Sequence, residues 1–92
     1  MSKVKRAVDS DGNFIQLLFQ CPGCNDWHGV DSKWAFNGNI DRPTFSPSVL
    51  VTIPGSESRC HSFVNNGNIE FLGDCTHKLA NQTIELPEVS HV

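Results

Sequence analysis

Four cysteines stand as Cys21-Pro22-Gly23-Cys24, Cys60-His61 and Cys75-Thr76-His77, and thiols in that pattern are ligands for a divalent metal, with Zn2+ the favoured ion. A C-x-x-C pair supplies two thiolates to one tetrahedral ion, and donors from a distant segment close the shell and cross-link the chain. Two disulfides are the alternative, disfavoured because a reducing cytoplasm and the C-x-x-C spacing both suit metal. Seven side chains compete for the shell: Cys21, Cys24, His28, Cys60, His61, Cys75 and His77. Spacing nearly forces Cys21 and Cys24. Cys60 joins them on the strand register derived below, and the fourth ligand is Cys75 or His77, with Cys75 the better match to a thiolate shell. His77 then becomes an outer donor to a cysteine sulfur or to an acid such as Asp74. His28 and His61 read as ordinary half-buried strand histidines.

The elements that position these residues are mostly strands. Val4 and Ala7 lead through the turn composition Ser10-Asp11-Gly12-Asn13 into Phe14-Ile15-Gln16-Leu17-Leu18-Phe19, which reads as a mostly buried strand. Trp27 to Val30 leaves the cysteine knuckle. Trp34-Ala35-Phe36 is a short strand ended by Asn37-Gly38-Asn39. Prolines 43 and 47 keep the next segment extended, and Val49 to Ile53 is a β-branched run suited to a central strand. In the hairpin that follows, Asn66-Gly67 fits a two-residue type I′ turn. That turn sets Asn65 opposite Asn68, Val64 opposite Ile69 and Ser62 opposite Phe71. Cys60 then ends the ladder beside the Cys75 segment, while His61, Phe63, Glu70 and Leu72 point to the other face. Asp74 is a candidate N-cap for a short helical turn over residues 75–80, with Asn81 in the left-handed region to end it. Thr83 to Leu86 is a last strand, and Glu88 to Val92, including His91, reads as a frayed tail. The expected fold is mainly β: one small domain over residues 1–92, built of β-hairpins with a zinc-ribbon-like knuckle.

With 92 residues and 38% hydrophobic content, the chain has a modest core that gains from a metal staple. Seven Lys and Arg against ten Asp and Glu give a net charge of −3, which argues against a nucleic-acid binder. No apolar segment reads as a signal peptide or a membrane span, so the expected location is the cytoplasm. HExxH, the H-x-E with P-C-x-x-C order, a P-loop and a nucleophile elbow are all absent. His28, His61 and His77 with Asp31, Asp41 and Asp74 supply titratable groups for hydrolysis, but a thiolate-rich zinc is a weak Lewis acid, and the sequence favours a non-enzymatic role.

Several runs carry a family resemblance: Cys21-Pro22-Gly23-Cys24, Trp34-Ala35-Phe36-Asn37-Gly38, Arg42-Pro43-Thr44-Phe45-Ser46-Pro47-Ser48, Cys60-His61-Ser62-Phe63, and Asp74-Cys75-Thr76-His77 with Gln82-Thr83 and Leu86-Pro87. From Phe19 to Pro87 the chain resembles a family of small phage and prophage proteins of unknown function, sometimes labelled as an ammonia monooxygenase. Asn81 stands where that family has glycine, and either residue suits a left-handed cap. Ammonia oxidation implies a membrane-embedded copper enzyme, which a thiol-rich chain without a membrane span does not fit. The resemblance implies a phage gene product acting in the cytoplasm of a bacterial host as a zinc-stabilised module that binds a host or phage protein. The alternative is a zinc-dependent hydrolase or nucleotide-binding protein acting on a small host metabolite or signal.

Overall fold

The computed structural model describes residues 2–89, so His91 and its neighbours at 90–92 lie outside the described residues. Eight strands follow in order: β1 (Lys5–Val8), β2 (Phe14–Cys21), β3 (Asp26–Val30), β4 (Ala35–Phe36), β5 (Phe45–Thr52), β6 (Arg59–Asn65), β7 (Asn68–Phe71) and β8 (Thr83–Glu85). They form two antiparallel sheets, β1-β2-β3 and β4-β5-β6-β7-β8, in which every neighbour is also a neighbour in sequence. Turn chemistry explains that simple order. Asp9 accepts from the backbone N–H groups of Asp11 and Asn13 to close the β1–β2 turn. Asn66 and Gly67 both take positive φ, 51° and 83°, as a type I′ turn requires. The β6–β7 register is Ser62 with Phe71, Val64 with Ile69 and Asn65 with Asn68, which matches the pairing expected from sequence.

The core sits where the two sheets face each other. Phe19 and Val30 of the first sheet meet Phe45, Val49, Val64, Ile69 and Phe71 of the second. The Phe19 and Phe45 rings stack at 5.9 Å between centroids. Along β6 burial alternates strictly: Cys60, Ser62 and Val64 point into the core, while Arg59, Phe63 and Asn65 point to solvent and His61 is half-buried on that outer side. This alternation is the feature on which the functional site depends.

Three expectations are corrected. β2 is buried only toward its end, since Phe14 and Ile15 are 40% and 50% exposed. The first half of that strand belongs to a β1–β2 ribbon that extends past the core. The second correction concerns residues 75–80, where no helix forms. The bonds of that segment are not helical: Cys75 N–H closes a three-residue turn on Leu72 O, and Thr76 N–H donates to Arg59 O of β6. Only the three-residue bonds Ala80 N–H to His77 O and Gln82 N–H to Leu79 O remain, which makes these residues turns. Asn81 does adopt the left-handed region, at φ 67°. The start of the expected frayed tail is held down: Val89 is buried and its N–H donates to Ser2 O at 2.8 Å. Among the described residues, no helix is long and apolar enough to cross a membrane.

Candidate functional site

The chain turns sharply between β2 and β3, and this knuckle presents the first pair of thiols. Asn25 N–H donates to Cys21 O at 2.9 Å with Asn25 at φ 56°, and Cys24 N–H points at Cys21 Sγ at 3.4 Å. Gly23 is required here by close approach, because a Cβ at that position would lie 2.4 Å from the His77 ring. Cys60 of β6 faces this knuckle across the gap between the sheets. The Cys21 and Cys60 sulfurs are 3.7 Å apart, far beyond a disulfide bond. Two thiolates bound to one tetrahedral zinc sit about 3.8 Å apart, given Zn–S bonds of about 2.3 Å.

Cys21, Cys24, Cys60 and His28 bring four ligand atoms within 4.8 Å of one another, an arrangement able to hold a metal ion. A second group, Cys60, Cys75 and His77, shares Cys60 and lies alongside. Of the five residues expected from sequence, three therefore fall in the first group and three in the second. His28, read from sequence as an ordinary strand histidine, joins the first.

The two histidines differ in tautomer. His28 Nδ1 faces Trp27 O at 3.2 Å, and a carbonyl can only accept, so Nδ1 carries the proton and Nε2 keeps its lone pair. That Nε2 is buried and has no hydrogen-bond partner, as suits an atom meant for a metal. His77 is reversed. Leu79 N–H donates to His77 Nδ1 at 3.2 Å, so in the neutral ring Nε2 carries the proton, and that Nε2 is also buried without a hydrogen-bond partner. The thiols share protons unequally. Accepting a hydrogen bond from Cys60, with help from His28, lowers Cys21 to about 4 despite its burial. Burial, and then the Cys21 charge, push Cys24 up to about 11. Cys60 is raised, chiefly because its proton is held on Cys21.

On the outer face of the second sheet lies an arrangement that sequence reasoning missed. Ser48 Oγ is 3.0 Å from His61 Nε2, and His61 Nδ1 is 3.2 Å from Asp74 Oδ2. Ser48 and His61 come from neighbouring strands β5 and β6, where Leu50 pairs with His61. Asp74 comes from the loop after β7. That loop is tied to the start of β6 on both sides of His61: Leu72 N–H donates to His61 O, His61 N–H donates to Cys75 Sγ, and Thr76 N–H donates to Arg59 O. The expected N-cap role of Asp74 is replaced by contacts to His61 and, at 3.7 Å, to Arg59. A carboxylate accepts, so His61 carries its proton on Nδ1, and Nε2 is left to accept from the Ser48 hydroxyl. Ser48 and His61 are half-buried and open to solvent on the outer face.

Two signals for this arrangement were present in the sequence. The β6–β7 register sent His61 to the outer face and brought the start of β6 to the 73–75 segment. Ser48 had no local motif, since successive members are 13 residues apart.

A hydroxyl, an imidazole and a carboxylate bonded in that order are the donor set of a serine hydrolase, here placed on a β-sheet face. The chain belongs to the family described as bacterial ubiquitination-like system serine protease (BubE), whose model matches residues 2–72. That span contains Ser48, His61 and the Cys21, Cys24, His28, Cys60 group, while Asp74, Cys75 and His77 follow it. Its description names a bacterial ubiquitination-like system and neither phage origin nor zinc. No curated protein and no solved structure matches the chain.

Proposed function

We propose that this protein is a serine protease of a bacterial ubiquitination-like system, with Ser48 as nucleophile, His61 as general base and Asp74 as the group that orients the imidazole. The observation that carries the reading is the continuous line from Ser48 Oγ through His61 to Asp74 Oδ2. Family membership supports it, since the family is described by the same chemistry.

The chemistry follows from the tautomer. As Ser48 Oγ bonds to the substrate carbonyl carbon, its proton passes to His61 Nε2, and Asp74 faces the cation that forms on the ring. His61 then gives that proton to the leaving group as the scissile bond breaks, which leaves an acyl ester on Ser48. Water, deprotonated by His61, hydrolyses the ester and restores Ser48. Arg59 approaches the same Asp74 Oδ2 at 3.7 Å, beside the His61 ring. The expected role as a non-enzymatic interaction module takes second place, because the fold needs no such line of polar groups on its outer face.

We assign the metal position to Cys21, Cys24, Cys60 and His28, with zinc the ion best suited to three thiolates and one imidazole. The fit rests on the 3.7 Å sulfur separation and the unpartnered His28 Nε2. Four protein donors fill a tetrahedral shell, so the ion's role is to join the two sheets, not to activate water. An open pocket of about 340 Å³ beside Cys24, His28, Cys60 and His77 provides its entry. Reduced thiols and a ubiquitination-like system both suit the interior of a bacterial cell.

A small fluorophosphonate tests the catalytic assignment directly. We expect a covalent adduct on Ser48, found by mass spectrometry and absent from Ser48→Ala. Failure of the intact, metal-loaded protein to react at Ser48 would sink the reading.

A further inference from the structure

The outer face of the second sheet carries two large apolar side chains that the core does not use. Leu50 is 54% exposed and Phe63 is 43% exposed. Both lie beside the catalytic pair. Leu50 pairs directly with His61 across β5 and β6, and Val49 pairs with Ser62 in the next rung. Alternation then puts Ser48 and Leu50 on one face of β5, and His61 and Phe63 on the same face of β6. Ser48 bonds His61 along one diagonal of this four-residue block. Leu50 and Phe63 occupy the other diagonal, so the nucleophile and base are flanked by one apolar side chain toward each end of the strands.

Side chains on neighbouring strand positions of one sheet face lie within about 4.5–8 Å of one another. A carbonyl carbon within bonding reach of Ser48 Oγ therefore brings the chain on either side of it over Leu50 and Phe63. Charged groups border this block. Glu70 pairs with Phe63 on the side away from β5, and Arg59 turns toward Asp74 at 3.7 Å. An uncharged polar side chain placed over Leu50 or Phe63 would gain little, whereas an apolar one would cover exposed hydrocarbon.

We infer that Leu50 and Phe63 determine substrate specificity: the protease selects an extended peptide segment with a bulky apolar side chain on each side of the scissile bond. The inference rests on the triad reading above and names the substrate class of that same site.

The experiment uses full-length, metal-loaded protein and two fluorogenic peptide sets of equal length. One set carries Leu, Phe or Val on both sides of the scissile bond, and the other carries Ser, Asn or Gln there. The readout is the ratio of kcat/KM between the sets, so a general loss of activity in a variant does not mimic a change in selectivity. We expect the native protein to favour the apolar set by at least about a hundredfold, and Leu50→Ser and Phe63→Ser each to reduce that ratio about tenfold. Circular dichroism of both variants confirms that the exposed substitutions leave the sheet intact. Leu50→Met and Phe63→Leu, which keep the apolar surface, should retain most of the preference.

Labelling of native Ser48 by a small fluorophosphonate separates the two possible failures. If Ser48 labels but the two peptide sets are cleaved equally, or the serine variants keep the native ratio, the specificity inference is overturned and the triad stands. If Ser48 does not label and neither set is cleaved, the triad reading falls and takes the inference with it.

Discussion

The two chemical centres of this protein lie back to back on the same strand. Cys60 points inward to the thiol group while His61, the next residue, points outward to Ser48. The loop after β7 repeats the arrangement, with Asp74 facing His61 on the outer side and Cys75 packed behind it. Period-2 alternation alone separates the buried Cys/His group from the open Ser48–His61–Asp74 line. Only the inner centre bridges the two sheets, with Cys21 and Cys24 from the first and Cys60 from the second. The outer centre lies wholly on the second sheet and its following loop. Stability should therefore depend on the inner centre and catalysis on the outer, with a single direction of coupling: loss of the metal disorders the triad, but loss of the triad leaves the metal in place.

Metal removal should produce the largest effect. Structural zinc contributes an apparent ~10–16 kcal/mol in small peptides, against a whole-domain stability of about 5–15 kcal/mol. We expect excess chelator, or Cys21→Ser, to unfold or loosen the chain in thermal denaturation and to abolish labelling of Ser48 at the same time. A chelated protein, with metal loss confirmed, that kept both its melting temperature and its reactivity would break the proposed coupling.

Ser48→Ala tests the other direction. Removing the nucleophile of a triad costs on the order of 10⁶ in kcat, yet this half-buried hydroxyl supports no core contact. Peptide cleavage should be lost while the melting temperature and zinc content stay at native values. Asp74→Asn should cost less than Ser48→Ala. Its amide can donate to Nδ1 and so favour the wrong tautomer, and the expected loss is about 10⁴-fold in kcat with little change in KM. A variant that lost KM alone would show that Asp74 contacts substrate and does not orient His61.

How far each centre was legible in the sequence follows from the same contrast. The inner group is marked by residue type, since cysteine at C-x-x-C spacing suits a metal, and the Asn66-Gly67 turn fixed the register that sends Cys60 inward. His28 was missed as a member because its claim rests on a tautomer set by Trp27 O and on an empty Nε2, neither of which a sequence displays. Ser48 was missed for a different reason. Serine is common, its neighbours Pro47 and Val49 mark an extended segment and nothing more, and its role exists only once β5 pairs with β6. Residues 75–80 read as a helical turn because local capping signals favour one, whereas the segment closes three-residue turns and ties Thr76 to Arg59 O of β6.

The thiols of the inner group also make a pH prediction. Without metal, Cys21 at about 4 is a thiolate at neutrality, while Cys24 at about 11 and the raised Cys60 keep their protons. Metal binding must displace thiol protons, so its affinity rises with pH and falls on acidification. Competition with a chromophoric chelator at several pH values would check the slope. A flat profile would mean that the ion is held by groups already free of protons.

Arg59 should give the smallest effect and the finest division between the centres. Its guanidinium reaches Asp74 Oδ2 at 3.7 Å, but the side chains are 50% and 39% exposed. Exposed pairs of this kind contribute roughly 0.2–1 kcal/mol. Arg59→Gln should therefore lower kcat by no more than about fivefold, an effect that weakens as salt screens the pair. Its backbone is held separately, because Arg59 N–H donates to Thr76 Oγ1 at 2.9 Å and Arg59 O accepts from Thr76 N–H. The substitution should leave the strand, and Cys60 beside it, in place. Unchanged zinc affinity with a small, salt-sensitive fall in kcat would confine the Arg59 side chain to the outer centre, whereas a fall in zinc affinity would show that the two faces of β6 are energetically joined through this residue.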